Sequence, residues 1–535
     1  MELKNPASDY DGDQPDEIHY YLPGQVVLHL EHHPEISPGQ LAIDLNNFFT
    51  QNPDPVWRSL RGPDPETIVT FPLQKSEGLR MAIISTRTVD TEISKEDHAG
   101  LLVEIYRRLG ERVQVPSVSG QPIFLRSVSP NWLIGSAWHG GGTVGPGGWP
   151  DEAVLARGAW PKFDFTGISS IGPAESERGA GVHVAILDTS PCLHDLLDAY
   201  FHWAEERPGQ HPLVESLLRP DGPLHVYPAN FEDLKLAADF SALGHRYTMQ
   251  DHGLFVAGII HSIADQATLH LYEVFHQYGL GCLTTIARGL SRVWDLLAAL
   301  RNSGQPFRLI VNCSLMLGVT ADGQEDPGLP ALFGDPTILG ELRKSFEEMI
   351  ADLDQPDVVV VAAAGNEARQ DETDPSVITR PPARFPAAYN SVVGVGALPR
   401  EIQGKPLGPG PVKTANYSNL ADNKPDIGFV TLGGEEGAEN GVVGLYLGRF
   451  PVNVGPHPNK DRRIKLEHVK YRANRRGWAW WSGTSFATPI VSGLLAAWWG
   501  FDLGKTSADA KNFLIASAPD RTDMNEQVIR ASQQI

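Results

Sequence analysis

The run Trp481-Ser482-Gly483-Thr484-Ser485-Phe486-Ala487-Thr488-Pro489, followed by Ile490-Val491-Ser492-Gly493-Leu494-Leu495-Ala496-Ala497-Trp498-Trp499, constrains this chain more than any other segment. Its second half is apolar all round, the pattern of a buried helix. Its first half is a turn of small residues, so Ser485 sits where a tight turn enters that helix. The turn projects the hydroxyl, and the helix N-terminus favours negative charge beside it, which suits a nucleophile. The same residues would also serve as an ordinary helix cap.

Three upstream segments share a design, an apolar run that ends or begins at a residue able to do chemistry. Gly181-Val182-His183-Val184-Ala185-Ile186-Leu187-Asp188 reads as a strand with Asp188 at its carboxyl end, where α/β sheets gather functional groups. An acid there also suits a turn cap. Asp251-His252-Gly253 opens the small, apolar run Leu254 to Ile260, a tightly packing helix with His252 at its entrance. Any of the 18 histidines could fall at such a place for structural reasons. Val358 to Ala364 is a buried strand ending in Gly365-Asn366. Asn366 is either a turn residue or an amide donor for an oxyanion.

Taken in the order Asp188, His252, Asn366, Ser485, these segments resemble the subtilisin-like serine proteases, the subtilases. The resemblance runs from Gly181 to about Trp499. It implies a subtilisin-like three-layer α/β/α fold with a mostly parallel sheet. Residue by residue, it implies Asp188 as the orienting acid, His252 as the general base, Ser485 as the nucleophile and Asn366 as the oxyanion donor. The chemistry fits each role: a neutral His252 can take the Ser485 proton near neutral pH, and Asp188 can hold its tautomer. Ser314, Leu315 and Met316 resemble the strand that pairs with substrate backbone. Ala363, Ala364 and Gly365 resemble the opposite wall of the primary specificity pocket. Both segments also read as plain core strands. A substrate would add between them as an extra strand. Asn416-Tyr417-Ser418-Asn419 resembles the loop before the nucleophile segment.

The chain departs from the family's pattern in three places. Leu254 and Phe255 stand where the histidine motif usually continues Thr-His, and Ser190-Pro191 replace the usual turn after the acid. The segment after Ile260 runs straight into the strand-like Ala267 to Tyr272, leaving no room for the loop that builds a calcium site in many subtilases. No metal and no cofactor is expected. A stretch of about 428–476 reads as an insertion, and its basic run Lys460 to Arg476 reads as a solvated hairpin or a docking surface. Trp478 and Trp480 would share one face of a strand and Trp481 the other, with at least one face packed in the core.

The 535 residues and net charge of -21 fit a soluble, multidomain chain and argue against nucleic-acid binding. Three cysteines (Cys192, Cys282, Cys313) cannot all pair, which suits a reducing compartment, and the acidic start has no secretory character. The localisation expected is cytoplasmic, with no membrane span. Residues 1–17 read as an acidic disordered tail. Residues 18–130 read as β-α-β-β-α-β, a ferredoxin-like α+β domain. Its first helix opens at Ser37-Pro38-Gly39-Gln40, with Gln40 placed for a capping box, and its last strand is Ile123 to Val128. Residues 131–178 read as a Gly/Pro-rich linker and 179–535 as the catalytic domain. Subtilase prodomains have a similar architecture, so by resemblance the N-terminal domain would restrain the protease, with its tail in the cleft. Any self-cleavage would fall between about Ser129 and Pro150, and a protein partner is an alternative means of release. The function expected is a serine endopeptidase acting on a protein or peptide. The alternatives are a precursor-peptide maturation protease and a catalytically silent peptide-binding module.

Overall fold

A computed structural model describes residues 20–534 except 73–78, 91–92, 111–112, 137–149, 156–159, 166–167, 169–177, 193–195, 198–210, 218, 220, 230, 232–247, 319–331, 335, 371–373, 375–376, 401–411, 422–427, 436–439 and 453–469. The acidic tail, most of the Gly-rich linker and most of the basic run therefore lie outside the described residues.

The N-terminal half folds as β1 (Tyr21–His32), α1 (Pro38–Gln51), β2 (Ile68–Pro72), β3 (Arg80–Arg87), α2 (Lys95–Arg108), β4 (Val113–Val115) and β5 (Ile123–Ser136). The strands lie in the order β5-β1-β3-β2, each antiparallel to its neighbour, which is the ferredoxin-like arrangement. Ser37 caps α1 by accepting from the Gln40 N–H at 3.2 Å, with Pro38 in the first turn. The expected capping box does not close, because the Gln40 side chain donates to Asp44 at 2.9 Å instead.

Strand β5 runs well past Val128. Pro130 breaks no ladder, since it sits opposite Val26 at a register shift in the pairing with β1. The residues expected to begin a linker at 131 continue this strand. Farther on, Asp151–Glu152 and Lys162–Phe165 are short strands paired with Trp480 and Ala479 and with Ala531–Gln534.

The remainder builds β6 (Val182–Asp188), β7 (Leu224–Tyr227), α3 (His252–Ile263), β8 (Thr268–Glu273), β9 (Leu280–Cys282), α4 (Leu283–Ser303), β10 (Arg308–Cys313), β11 (Leu315–Leu317), α5 (Pro336–Ala351), β12 (Val358–Ala363), β13 (Val393–Leu398), β14 (Gly428–Leu432), β15 (Val442–Leu445), β16 (Trp478–Trp481), α6 (Thr484–Phe501) and β17 (Gln527–Val528). The order β7-β8-β6-β10-β12-β13-β14-β17 is parallel throughout, with Asp520–Arg521 antiparallel at the edge. Gly428–Leu432, expected in the insertion, is thus a strand of the central sheet. All five of its residues are buried, as a strand covered on both faces requires.

Side-chain alternation divides this sheet into two cores. Val184, Ile186 and Ile310 face α3 and α6, whereas Ala185, Leu187, Leu309 and Val311 face α4 and α5. The second core continues into Val26, Leu28 and Leu30 of the N-terminal sheet. The result is a three-layer α/β/α sandwich, with the ferredoxin-like domain packed outside α4 and α5.

Candidate active site

Asp188 ends β6 and His252 begins α3, so the parallel sheet delivers both to its carboxyl edge. Both are buried, and His252 Nδ1 lies 2.8 and 2.9 Å from the two carboxylate oxygens of Asp188. This contact fixes Nδ1 as the protonated nitrogen of the neutral ring, which directs Nε2 away from Asp188 as an acceptor.

The residues around the acid and the base tie their two elements together and pack the base. Thr189 Oγ1 donates to the Met249 and Gln250 carbonyls at 3.0 and 2.9 Å and accepts from the Gly253 N–H at 3.1 Å, pinning the start of α3 to the end of β6. Gly253 is required by this contact: a Cβ there would meet the Thr189 carbonyl at 2.3 Å and Asp188 Cβ at 2.9 Å. Asp251 accepts from the backbone N–H groups of Leu447 and Gly448 at 2.5 Å, tying the same helix start to the neighbouring hairpin. Phe255 is fully buried against Phe486, with ring centroids 4.6 Å apart, and against Trp481 at 5.6 Å. Gly444 of β15 leaves the space for it, since a Cβ at that position would lie 2.6 Å from the Phe255 ring. Trp481 and Phe486 also flank the His252 ring, at 5.3 and 5.2 Å. Of the tryptophan run, Trp478 and Trp481 are buried, while Trp480 carries Arg400 over its ring at 4.7 Å.

Ser485 is the second residue of α6, after Gly483, which stands at φ 160. The helix contains Pro489, which has no N–H to offer the Ser485 carbonyl four residues back. The Ser314 hydroxyl takes that place, donating to the Ser485 carbonyl at 2.9 Å. Ser485 Oγ in turn lies 3.4 Å from the Ser314 carbonyl. Beneath them, Ser492 donates to Asn312 at 2.9 Å and Asn312 donates to Ser314 at 3.0 Å. Asn312 and Ser492 were given no role of their own from the sequence, where each is a polar residue within an otherwise apolar run.

Asn366 follows β12 and is buried. Its side-chain carbonyl accepts from Thr484 N–H at 2.9 Å and Thr484 Oγ1 at 2.8 Å, which fixes the amide so that Nδ2 lies toward Gly483. A Cβ on Gly483 would be 3.5 Å from Nδ2. The amide dipole is therefore preorganised at the N-terminus of α6, where developing negative charge is favoured.

Leu315 and Met316 do flank an extended strand, but its other neighbour is β9 rather than the expected Ala363–Gly365, and β9 was not singled out in the sequence. Leu133–Gly135 of β5 pair antiparallel with β9, and Ile134–Ser136 pair antiparallel with β11. Ser136 is opposite Leu315, one residue from Ser314. Leu133 is buried among Leu22, Tyr278, Leu280, Cys282 and Met316. Trp132 is buried too, and its indole N–H donates to the Leu342 carbonyl at 3.1 Å.

The subtilase family model matches residues 179–532. The chain belongs to the subtilase family. No curated protein matches it. Among solved structures, the subtilase is similar to the prenylagaramide maturation protease PagA (21% identity over 67% of this chain and 92% of that one, TM-score 0.36). It is also similar to the self-cleaved protease domain of PatA (22% identity, 64% and 90% covered, TM-score 0.35). Sphericase is a third (18% identity, 64% and 84% covered, TM-score 0.35).

Among the described residues, no group of three or more His, Cys, Asp or Glu side chains is arranged to hold a metal ion, and no helix is long and apolar enough to cross a membrane. Only residues 264–267 separate α3 from β8. The three cysteines are free thiols, and burial pushes Cys313 up to about 12. Part of the basic run is paired: Arg472 binds Glu152 at 2.9 Å, and Lys470–Arg472 form a hairpin ladder with Phe450–Val452.

Proposed function

We propose that this subtilase is a serine endopeptidase in which Ser485 attacks the scissile carbonyl, His252 takes its proton and later gives it to the leaving amine, and Asp188 stabilises the imidazolium. Asn366 Nδ2 and the Ser485 N–H hold the oxyanion. The observation that carries this reading is the buried contact of His252 Nδ1 with both Asp188 oxygens, which leaves Nε2 to act on the serine. We further propose that residues 20–136 are an inhibitory domain. Strand β5 occupies the channel between β9 and β11 in the way a peptide substrate would, by main-chain pairing. Ser136 lies opposite Leu315, beside Ser314, whose carbonyl is 3.4 Å from Ser485 Oγ, so self-cleavage is expected within a few residues after Ser136. The substrate is then an extended segment of a peptide or protein.

Intact mass with and without a fluorophosphonate probe tests both parts. One adduct on Ser485, absent in Ser485→Ala, and a fragment ending shortly after Ser136, also absent in Ser485→Ala, are the results expected. Undiminished peptide hydrolysis by Ser485→Ala would refute the catalytic assignment.

A further inference from the structure

The β11 wall of the channel is joined to the Ala363–Gly365 segment by Arg384-Phe385. The Arg384 N–H donates to the Ala364 carbonyl, and the Leu317 N–H donates to the Phe385 carbonyl, each at 2.8 Å. Gly365 (φ 109) presents its bare Cα to the side chains on this segment. A Cβ on Gly365 would lie 2.6 Å from Glu367 Oε2, 2.6 Å from Asn419 Nδ2 and 3.1 Å from Arg384 Cγ. Arg384 Nε is 3.6 Å from Glu367 Oε2, and the two side chains are 11% and 8% exposed. Asn419 donates to the same carboxylate, and its own carbonyl accepts from the Glu367 N–H at 2.9 Å.

We propose that the buried Glu367–Arg384 pair is the floor of the primary specificity pocket, and that it makes this pocket shallow and electrically neutral, so that the enzyme cuts after a small, uncharged residue. The proposal rests on the proposed function and names its substrate class. Three observations converge on it. Two long side chains, Glu367 and Arg384, lie against Gly365 of the expected pocket wall. Each neutralises the other, so an acidic or basic substrate residue finds no unbalanced partner and would bury its charge at a cost. The last described residue of the strand that fills the channel, Ser136, lies opposite Leu315, and the next residue in the sequence is Ala137.

The test is kcat/KM on peptides that carry Leu-Ile-Gly-Ser followed by Ala, Ser, Phe, Glu or Lys before the scissile bond. Ala and Ser should exceed Phe, Glu and Lys by at least about tenfold, within the range one pocket contact supplies. Arg384→Gly should raise the Phe-to-Ala ratio by about tenfold or more. Because Arg384→Gly leaves Glu367 buried without its cation, the double variant Arg384→Gly/Glu367→Gln is measured beside it. A parent enzyme that cuts after Phe or Lys as well as after Ala overturns the proposal, as does a folded variant with an unchanged ratio. Product peptides ending in Ala or Phe are also titrated against the full-length double variant Trp132→Ala/Ser485→Ala, in which β5 is loosened from the channel and the pocket is read without chemistry. Tighter binding of the Ala peptide supports the proposal even if no peptide is hydrolysed, a result that would sink the proposed function alone. Equal binding of both peptides, or of neither, overturns the proposal.

Discussion

Trp132→Ala is predicted to open the channel. Trp132 lies on β5 just before the residues that pair with β9 and β11, and its side chain is fully buried. Its ring meets Tyr21 of its own domain at 5.9 Å and Phe333 of the catalytic half at 6.1 Å. Truncating a buried tryptophan costs about 3–5 kcal/mol. Roughly half of that concerns the face against Phe333 and Leu342, and it includes about 1 kcal/mol for the lost indole hydrogen bond to Leu342. Docking of the strand is therefore weakened by about 1.5–2.5 kcal/mol, which raises the released population roughly 12- to 60-fold at about 1.4 kcal/mol per factor of ten. The assay is the initial rate of fluorophosphonate labelling of Ser485 in full-length protein, with intact mass confirming that the chain is uncut. The labelling rate should rise by that factor while near-UV circular dichroism shows the catalytic half still folded. An unchanged rate in a folded Trp132→Ala protein would refute the idea that β5 gates the nucleophile.

Two further outcomes follow from the geometry. Gly253→Ala places a methyl group against the Thr189 carbonyl and Asp188 Cβ; it should separate His252 from Asp188 and lower kcat by at least about 100-fold with KM little changed, whereas equal loss in a denaturation midpoint and in no kinetic constant would contradict it. Acid should destabilise the fold through buried histidines. Burial pushes His29, His211 and His270 each down to about 3 from 6.5. Below about pH 6.5 the unfolded chain binds protons that the folded chain refuses, so stability falls as pH drops from about 6.5 toward 3, by about 1.4 kcal/mol per pH unit for each histidine once the unfolded form is fully charged. Urea midpoints measured from pH 8 to 4.5 should be level above pH 7 and fall below 6, less steeply in His270→Gln; a level profile down to pH 4.5 would contradict the burial argument.

The placement of the candidate site was legible because its residues stand at strand ends and helix starts, where local pattern is clearest. Asp188 closes a run of alternating apolar residues, and Asn366 follows four valines. What accommodates Phe255 and Pro489 was not legible, because their partners are distant in sequence: Gly444 leaves space for the Phe255 ring, and the Ser314 hydroxyl meets the Ser485 carbonyl that Pro489 cannot. The extent of β5 was hidden for a related reason. Ser129-Pro130-Asn131 carries every local mark of a turn, and it is held extended by β1 on one side and, beyond it, by strands of another domain. Gly428–Leu432 was misplaced because a strand buried on both faces carries no alternation to distinguish it from an insertion's core.

The continuity of β5 bears on how the proposed restraint is lifted. A cut just after Ser136 removes no residue that pairs with β9 or β11, because those partners are residues 133–136. The new carboxyl terminus stays in the channel as a bound product. The same strand is also laddered to β1 from Trp132 back to Ile123, so it cannot peel away without disturbing the ferredoxin-like sheet. On the proposed function, cleavage would change the entropy of the connection but leave the contacts in place, and the cut enzyme would stay inhibited by a domain held only non-covalently. Activity should appear when that domain is diluted away, unfolds or is digested. Its rate of appearance after cleavage should follow the stability of residues 20–136 rather than the rate of the cut itself.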